Sequence, residues 1–522
     1  MCPSEDRRRD RRLAALLFLF ALFLSAFVKS GDLGGIDTIQ RLKVTRSLWT
    51  DQPPVLPQDY PRFGLKTDIG EVHAWYGLGQ SLVMLPADVA SSLIWPSPWK
   101  SLRTTVRHVL FVSLLTFPLL NACCALAMFG LLRVLDFRPA HAGAAVMVCL
   151  LCTSQLHYLQ VDQENMLLLG LLCGAAAGVL RWSRGDGGRW AALAGACLGF
   201  ALLVRLPAVF DLAVLAGLGL ALAWTRGAGF VGRGLAFGAA GWLPFLAVER
   251  LYQYLRFGDI GGTYMDLLAR EFRRANPALP GSFPFSTPFW EGFLGPWLSP
   301  DKALILFDPL LLLAPAAALA WRKASTGGAP RRALAAGLVL LLAYQLFYAR
   351  WYTWAGEASW GARFLTPPLH LVLLLGAAWL ASCWCAWPSP RRIAAGVLLA
   401  TAFCVQVLSL LLPFPLETLQ DLDYWDGTSR IWWRLQSVLA VASGTFAGSE
   451  LWFEEMPPRL HQWYFFPWVV RVADAEAPFG ASRALWAGFG AAAFITFAAL
   501  LRGIRRAAPA HGAPVPERSD AD

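Results

Sequence analysis

Several carboxylates and cations of this chain stand where helix packing alone does not require them. Asp37, in Lys29-Ser-Gly-Asp32-Leu-Gly-Gly-Ile-Asp37-Thr-Ile-Gln-Arg41, comes directly after the first hydrophobic run. A carboxylate there is placed for acid–base chemistry at the edge of an apolar layer. The plainer alternative is a helix cap or first-turn acid, worth about 1 kcal/mol. Asp162 and Glu164, in Asp162-Gln-Glu164-Asn165, occupy a very short turn between two further apolar runs, where capping the next helix explains them equally well. Asp421-Leu-Asp423 has the spacing with which nucleotide-sugar enzymes hold Mn²⁺ or Mg²⁺, but nucleotide sugars are cytoplasmic and this segment reads as external. Arg350 and Arg363 flank a segment dense in Trp, and both suit either an anionic ligand or snorkelling at helix ends. Lys66 is not at a helix end, whereas Arg205, in Leu-Val-Arg205-Leu-Pro207, reads as the ordinary end of one. His73 and His461 are isolated. Cys149-Leu-Leu-Cys152 has metal or redox spacing, yet it lies in an apolar run without a second pair, so packing explains it better.

The elements that must position these residues are set by composition. A chain of 522 residues that is 56% hydrophobic and only 15% charged cannot bury its apolar surface as a soluble globule. Apolar runs near the length of a membrane span recur about twelve times, at 13–28, 105–132, 140–157, 164–182, 190–204, 207–224, 232–252, 303–321, 333–349, 364–387, 393–412 and 484–501. Helices are the expected form, because backbone polar groups in lipid must be satisfied within their own segment. No cleaved signal is expected at the N-terminus, since further spans follow the first. Arginine clusters mark every second connection, beginning with Arg7-Arg8-Arg9-Asp-Arg11-Arg12, so both termini are expected in the cytoplasm. The net charge of +10 is then a topology signal, and no soluble basic face suggests a nucleic-acid partner. Residues 1–12 read as a cytoplasmic basic tail, 13–501 as the transmembrane domain, and 502–522 as a cytoplasmic tail without fixed structure. The segments 29–104, 253–302, 350–363 and 413–483 read as external loops, and long loops of this kind usually carry function. Residues 37–51 suggest an interfacial helix with Ile36, Ile39, Val44 and Leu48 on its apolar side and Arg41, Lys43 and Arg46 toward water or head groups. A second surface helix is expected after Gly79. Most Trp residues suit an interfacial belt, while Trp351, Trp354 and Trp360 and the group Trp452, Trp463 and Trp468 lie in loops and could instead stack on a sugar.

Four loop segments carry a resemblance. Asp37 with Arg41 four positions on, Lys66 about thirty residues later, and Tyr76-Gly-Leu-Gly-Gln80-Ser-Leu ending in Leu85-Pro86 are similar to the first external loop of GT-C glycosyltransferases. This superfamily uses polyprenyl-phosphate-linked sugars and includes protein mannosyltransferases and the lipid A aminoarabinose transferase. Tyr252-Gln-Tyr-Leu-Arg256-Phe-Gly258, leading to Tyr264, resembles the entry to an external loop in bacterial members. Gly292-Phe-Leu-Gly-Pro-Trp-Leu-Ser-Pro300-Asp-Lys302-Ala, followed by Asp308-Pro309, resembles their Ser-Pro-Gly-Lys turn. Trp351 to Pro367, with Trp360-Gly-Ala-Arg363-Phe-Leu, resembles their Gly-Pro-Arg-Phe-Leu segment.

The resemblance implies an all-α, polytopic membrane fold with interfacial helices in the first external loop. It implies an inverting transfer of a hexosyl or pentosyl group from a polyprenyl-phosphate donor to a lipid, glycan or protein acceptor, on the outer face of the cytoplasmic membrane. A lipid phosphate is already a good leaving group, so one base suffices, and such a base contributes about 10²–10⁴-fold. Alignment with the family's first-loop acid makes Asp37 that base, with Asp32 as the fallback. Lys66, Arg350 and Arg363 become candidates for the donor phosphate. Asp162 and Glu164 match a second acid that orients the acceptor or binds a divalent metal in family members. A lipid or glycan transporter, or a non-catalytic glycan-binding protein on the same fold, is the alternative.

Overall fold

The uninterrupted apolar stretch from Leu13 to Val28 has no partner for its backbone except itself, and it is helical throughout, as is most of the chain. The computed structural model describes residues 3–507 apart from 61, 68–69, 97, 324–327, 357–358, 414–415, 418–419, 421–428, 447–461 and 475. Asp421, Asp423, Trp452, His461 and the tail beyond Ala507 therefore lie outside the described residues.

The helices that matter for the site, in chain order, are α1 (Pro3–Val28), α2 (Ile36–Ser47), α3 (Leu78–Ser92), α4 (Leu102–Val134), α5 (Pro139–Cys152), α6 (Gln155–Gln160), α7 (Asn165–Ser183), α8 (Gly188–Val204), α9 (Val209–Ala223), α10 (Ala228–Phe257), α11 (Tyr264–Ala275) and α12 (Phe289–Leu298). They are followed by α13 (Leu304–Phe307), α14 (Leu313–Lys323), α15 (Gly328–Tyr348), α16 (Thr366–Cys383), α17 (Ser389–Leu411), α18 (Arg430–Ser443), α19 (Phe466–Ala473) and α20 (Phe479–Ala507). Among the described residues the sheet is a single short hairpin, β1 (Leu65–Lys66) antiparallel to β2 (Val72–His73), with Leu65 opposite His73.

Among the described residues eight helical stretches are long and apolar enough to cross a membrane, so the chain is a multi-pass membrane protein. The expected twelve is not reached by this measure. The runs at 140–157 and 190–204 are the shorter helices α5 and α8. The run at 303–321 is broken at Asp308-Pro309 into α13, a 3₁₀ turn over Pro309–Leu312, and α14. The residue before a proline is driven out of the α region, and Asp308 has φ −131° and ψ 71°. α10, α17 and α20 leave large apolar side chains exposed, including Leu251, Leu255, Ile393, Val397, Phe494 and Ile495, as lipid-facing helices do. Inside, α1 packs on α20 and α4, α7 on α4 and α8, α8 on α10, and α16 on α5 and α15.

α2 corrects the expected amphipathic surface helix. Arg41, Lys43 and Arg46 are buried, while Ile36 and Leu48 are exposed. Each cation is paired inside: Arg41 with Glu164 at 2.8 Å, Lys43 with Asp59 at 2.6 Å, and Arg46 with Ser92 Oγ at 2.6 Å and Asp88 at 3.7 Å. A buried charge is tolerable only when paired and hydrogen-bonded. The partners come from distant segments, which hydropathy along α2 itself cannot reveal.

Candidate functional site

Asp37 sits in the first turn of α2, but its side chain is not a cap; the N-cap position is Gly35 and no side-chain cap bond forms. Its carboxylate turns outward from the helix end instead. Tyr76 Oη donates to Oδ1 at 2.8 Å, and Arg363 Nη1 donates to Oδ2 at 3.1 Å. Each oxygen keeps a further lone pair.

The Tyr76-Gly-Leu-Gly-Gln80-Ser81 run brings Tyr76 here by backbone contact. A Cβ on Gly77 would stand 2.4 Å from the Leu203 carbonyl oxygen, so only glycine permits this approach to the end of α8. Gln80 Nε2 donates to the Asp162 carbonyl at 2.8 Å, and Ser81 Oγ to the Arg41 carbonyl at 2.9 Å. From the other side, Arg256 Nη1 donates to the carbonyls of Ala74 at 2.6 Å and Tyr76 at 3.1 Å, which anchors the same segment to α10.

Asp37 stands on the wall of a cavity of about 470 Å³, bounded by α2, the segment from Arg62 to Leu78, the end of α8, the last turns of α10, the start of α11, and the segments at 347–353 and 363–364. Its walls carry five arginines, Arg41, Arg62, Arg205, Arg256 and Arg363, against three carboxylates, Asp37, Glu164 and Glu249. Glu164 lies between Arg41 at 2.8 Å and Arg205 at 3.8 Å. Burial pushes its carboxyl up, but Arg41, Arg205 and Arg363 outweigh burial and hold it at about 2. Arg205 also lies over the rings of Phe364 at 4.6 Å and Tyr348 at 5.2 Å, and Arg41 over Tyr76 at 4.8 Å. The arrangement can hold an anionic group against guanidinium forks and aromatic faces, beside one carboxylate able to take a proton.

Of the residues singled out from sequence, Asp37, Glu164 and Arg363 meet at this cavity. Asp32 does not line it: its carboxylate accepts from Ser30 Oγ at 2.7 Å, Gly34 N at 2.9 Å and Tyr464 Oη at 2.8 Å, closing the turn between α1 and α2 onto the last loop. Asp162 is fully buried, ion-paired with Lys29 and hydrogen-bonded by Ser113 Oγ at 2.5 Å. Lys66 is exposed on β1, and Arg350 is exposed at the end of α15; neither lines the cavity. Asp162 and Glu164 face different partners, and among the described residues no three His, Cys, Asp or Glu side chains are grouped as metal ligands. Neither acid's surroundings therefore fit a shared divalent metal. Arg205, read from sequence as a helix end, is part of the cavity because α8 stops there: its backbone is extended at φ −158°. The signal in the sequence was the Pro207 that follows, which ends the helix but says nothing of which way the arginine turns.

No family model and no curated protein matches the chain. Solved structures with a similar helical path include the archaeal oligosaccharyltransferase AglB from Archaeoglobus fulgidus in complex with an inhibitory peptide and a dolichol-phosphate, with a TM-score of 0.43 and 12% identity. The alignment covers 86% of this chain and 60% of that one, so the chain spans less than two thirds of AglB. ArnT from Cupriavidus metallidurans bound to undecaprenyl phosphate has a TM-score of 0.41 and 13% identity, over 94% of this chain and 77% of that one. Likeness at this level leaves function to be read from the site.

Proposed function

We propose that the protein is a membrane glycosyltransferase that moves a sugar from a polyprenyl-phosphate donor to an acceptor hydroxyl, with Asp37 as the base. The observation that carries this reading is the Asp37 carboxylate on the wall of an arginine-lined cavity. The acceptor oxygen attacks the anomeric carbon on the face opposite the phosphate, the bond from that carbon to the phosphate oxygen breaks, and the proton passes to Asp37. The anomeric centre inverts, as it does when water attacks in an inverting hydrolase. The leaving phosphate takes the electron pair and is stabilised by Arg363, Arg205 and Arg41, whose charge counts for more in a poorly hydrated cavity than in water.

A lipid-borne donor suits the walls. α10 presents Tyr252, Gln253 and Arg256 to the cavity and exposes Leu251, Tyr254 and Leu255 elsewhere on its surface, so a chain in the bilayer can lie along the helix whose polar face lines the site. By the arginine pattern of the connections, the cavity opens on the outer face of the cytoplasmic membrane. Purified protein in proteoliposomes, given polyprenyl-phosphate donors with radiolabelled sugars and a panel of lipid, glycan and peptide acceptors, is expected to move the label to an acceptor. No transfer from any donor would overturn the reading.

A further inference from the structure

The segment Ser299-Pro-Asp-Lys302 lies outside the cavity, yet it holds a lysine that is only 1% exposed. Burying an ammonium is costly unless fixed acceptors replace water. Lys302 Nζ donates to the Ser359 carbonyl at 2.8 Å, to Ser359 Oγ at 3.3 Å and to the Gly361 carbonyl at 3.4 Å. Ser359 Oγ closes the same turn by donating to the Gly361 carbonyl at 2.9 Å. Gly361 has φ +69°, and a Cβ there would stand 3.2 Å from Phe307 Cβ, so the turn is both left-handed and pressed against α13, which begins two residues after Lys302. Two residues beyond Gly361 is Arg363, whose Nη1 reaches Asp37 at 3.1 Å.

We propose that Lys302 is a positioning residue for the Asp37 site: its ammonium fixes the turn at 359–361 so that Arg363 is delivered to the carboxylate. Arg256 stands in the same relation to Tyr76, the other donor to Asp37, through the Ala74 and Tyr76 carbonyls. The two partners of the carboxylate are thus each set by a cation that touches their backbone neighbourhood and not the carboxylate. The catalytic side of this inference rests on Asp37 acting as the base; the placement of the turn does not.

The test uses the full-length protein in nanodiscs and the variants Lys302→Met, Lys302→Arg, Ser359→Ala, Arg363→Gln and the double Lys302→Met/Arg363→Gln. Amide exchange of the 359–366 peptide is expected to quicken by about tenfold or more in Lys302→Met and by a few-fold in Ser359→Ala, and to return to within about twofold of wild type in Lys302→Arg. In transfer assays Lys302→Met is expected to lower kcat by about 10–100-fold with donor KM within about twofold, while Lys302→Arg recovers most of the rate. The double variant is expected to be no slower than Arg363→Gln alone. Unchanged exchange in Lys302→Met and Ser359→Ala, a raised KM at preserved kcat, or additive losses in the double variant would overturn the proposal. If wild type transfers no sugar, the donor reading fails while the exchange comparison still decides whether Lys302 sets the turn; should Lys302→Met not fold, Ser359→Ala decides it.

Discussion

At the scale of single residues, Asp37 is held by two donors among the described residues. Tyr76 and Arg363 each occupy one lone-pair direction and leave room for an incoming hydroxyl. Tyr76→Phe removes one charge-assisted hydrogen bond, and kcat is expected to fall about tenfold with donor KM little changed, as steady-state kinetics would show. Glu164 has a different part. Its folded carboxyl lies near 2, below the unfolded value of 4.5, so the folded state binds fewer protons and its ionised form stabilises the fold. That contribution is fully present above about pH 5 and is lost as pH falls through about 2. Glu164→Gln is therefore expected to lower the melting temperature at pH 7, with the gap to wild type narrowing below about pH 4.5 and closing only as the pH approaches 2. A gap that does not change with pH would count against the arginine cage.

At the scale of elements, α2 shows what a sequence reveals and what it hides. Its presence and a start near Asp37 were legible from the apolar run that ends before it and from the helix-compatible residues that follow; the helix runs from Ile36 to Ser47. Its orientation was not, because Arg41, Lys43 and Arg46 find Glu164, Asp59 and Asp88 in segments whose approach depends on tertiary folding. The gathering of Asp37 and Arg363 was legible only as two separate motifs more than three hundred positions apart. Arg205 escaped because a helix end and a cavity wall look alike along the chain. The inverted burial of α2 has a measurable consequence. Arg46→Ala removes the buried guanidinium that donates to Ser92 Oγ and lies 3.7 Å from Asp88, while Asp88 keeps Trp49 Nε1 at 2.7 Å and His108 Nε2 at 2.8 Å, so a drop in stability of about 2 kcal/mol is expected. An exposed arginine would give a change within about 0.5 kcal/mol in the same thermal unfolding experiment.

At the scale of the whole molecule, a helical membrane body carries a polar cavity built mainly from the connections after α1, α8, α10 and α15. The multi-pass character was legible from composition, but the run 303–321 reads as one span by hydropathy, and its break at Asp308-Pro309 was missed. The number of spans was less legible, because α5 and α8 are short and α15 opens with two arginines, Arg331 and Arg332. The outward direction of the cavity can be checked with Lys66→Cys, on the exposed β1 strand: a membrane-impermeant maleimide is expected to label it in intact cells. Labelling only after permeabilisation would reverse the topology. The central claim is the chemical part given to Asp37, and one comparison tests it most directly: sugar transfer from a radiolabelled polyprenyl-phosphate donor by wild type, Asp37→Asn and Asp32→Asn at equal folded concentrations. A base at Asp37 predicts a loss of about 10²–10⁴-fold in Asp37→Asn and a much smaller one in Asp32→Asn. Undiminished transfer by Asp37→Asn would contradict it.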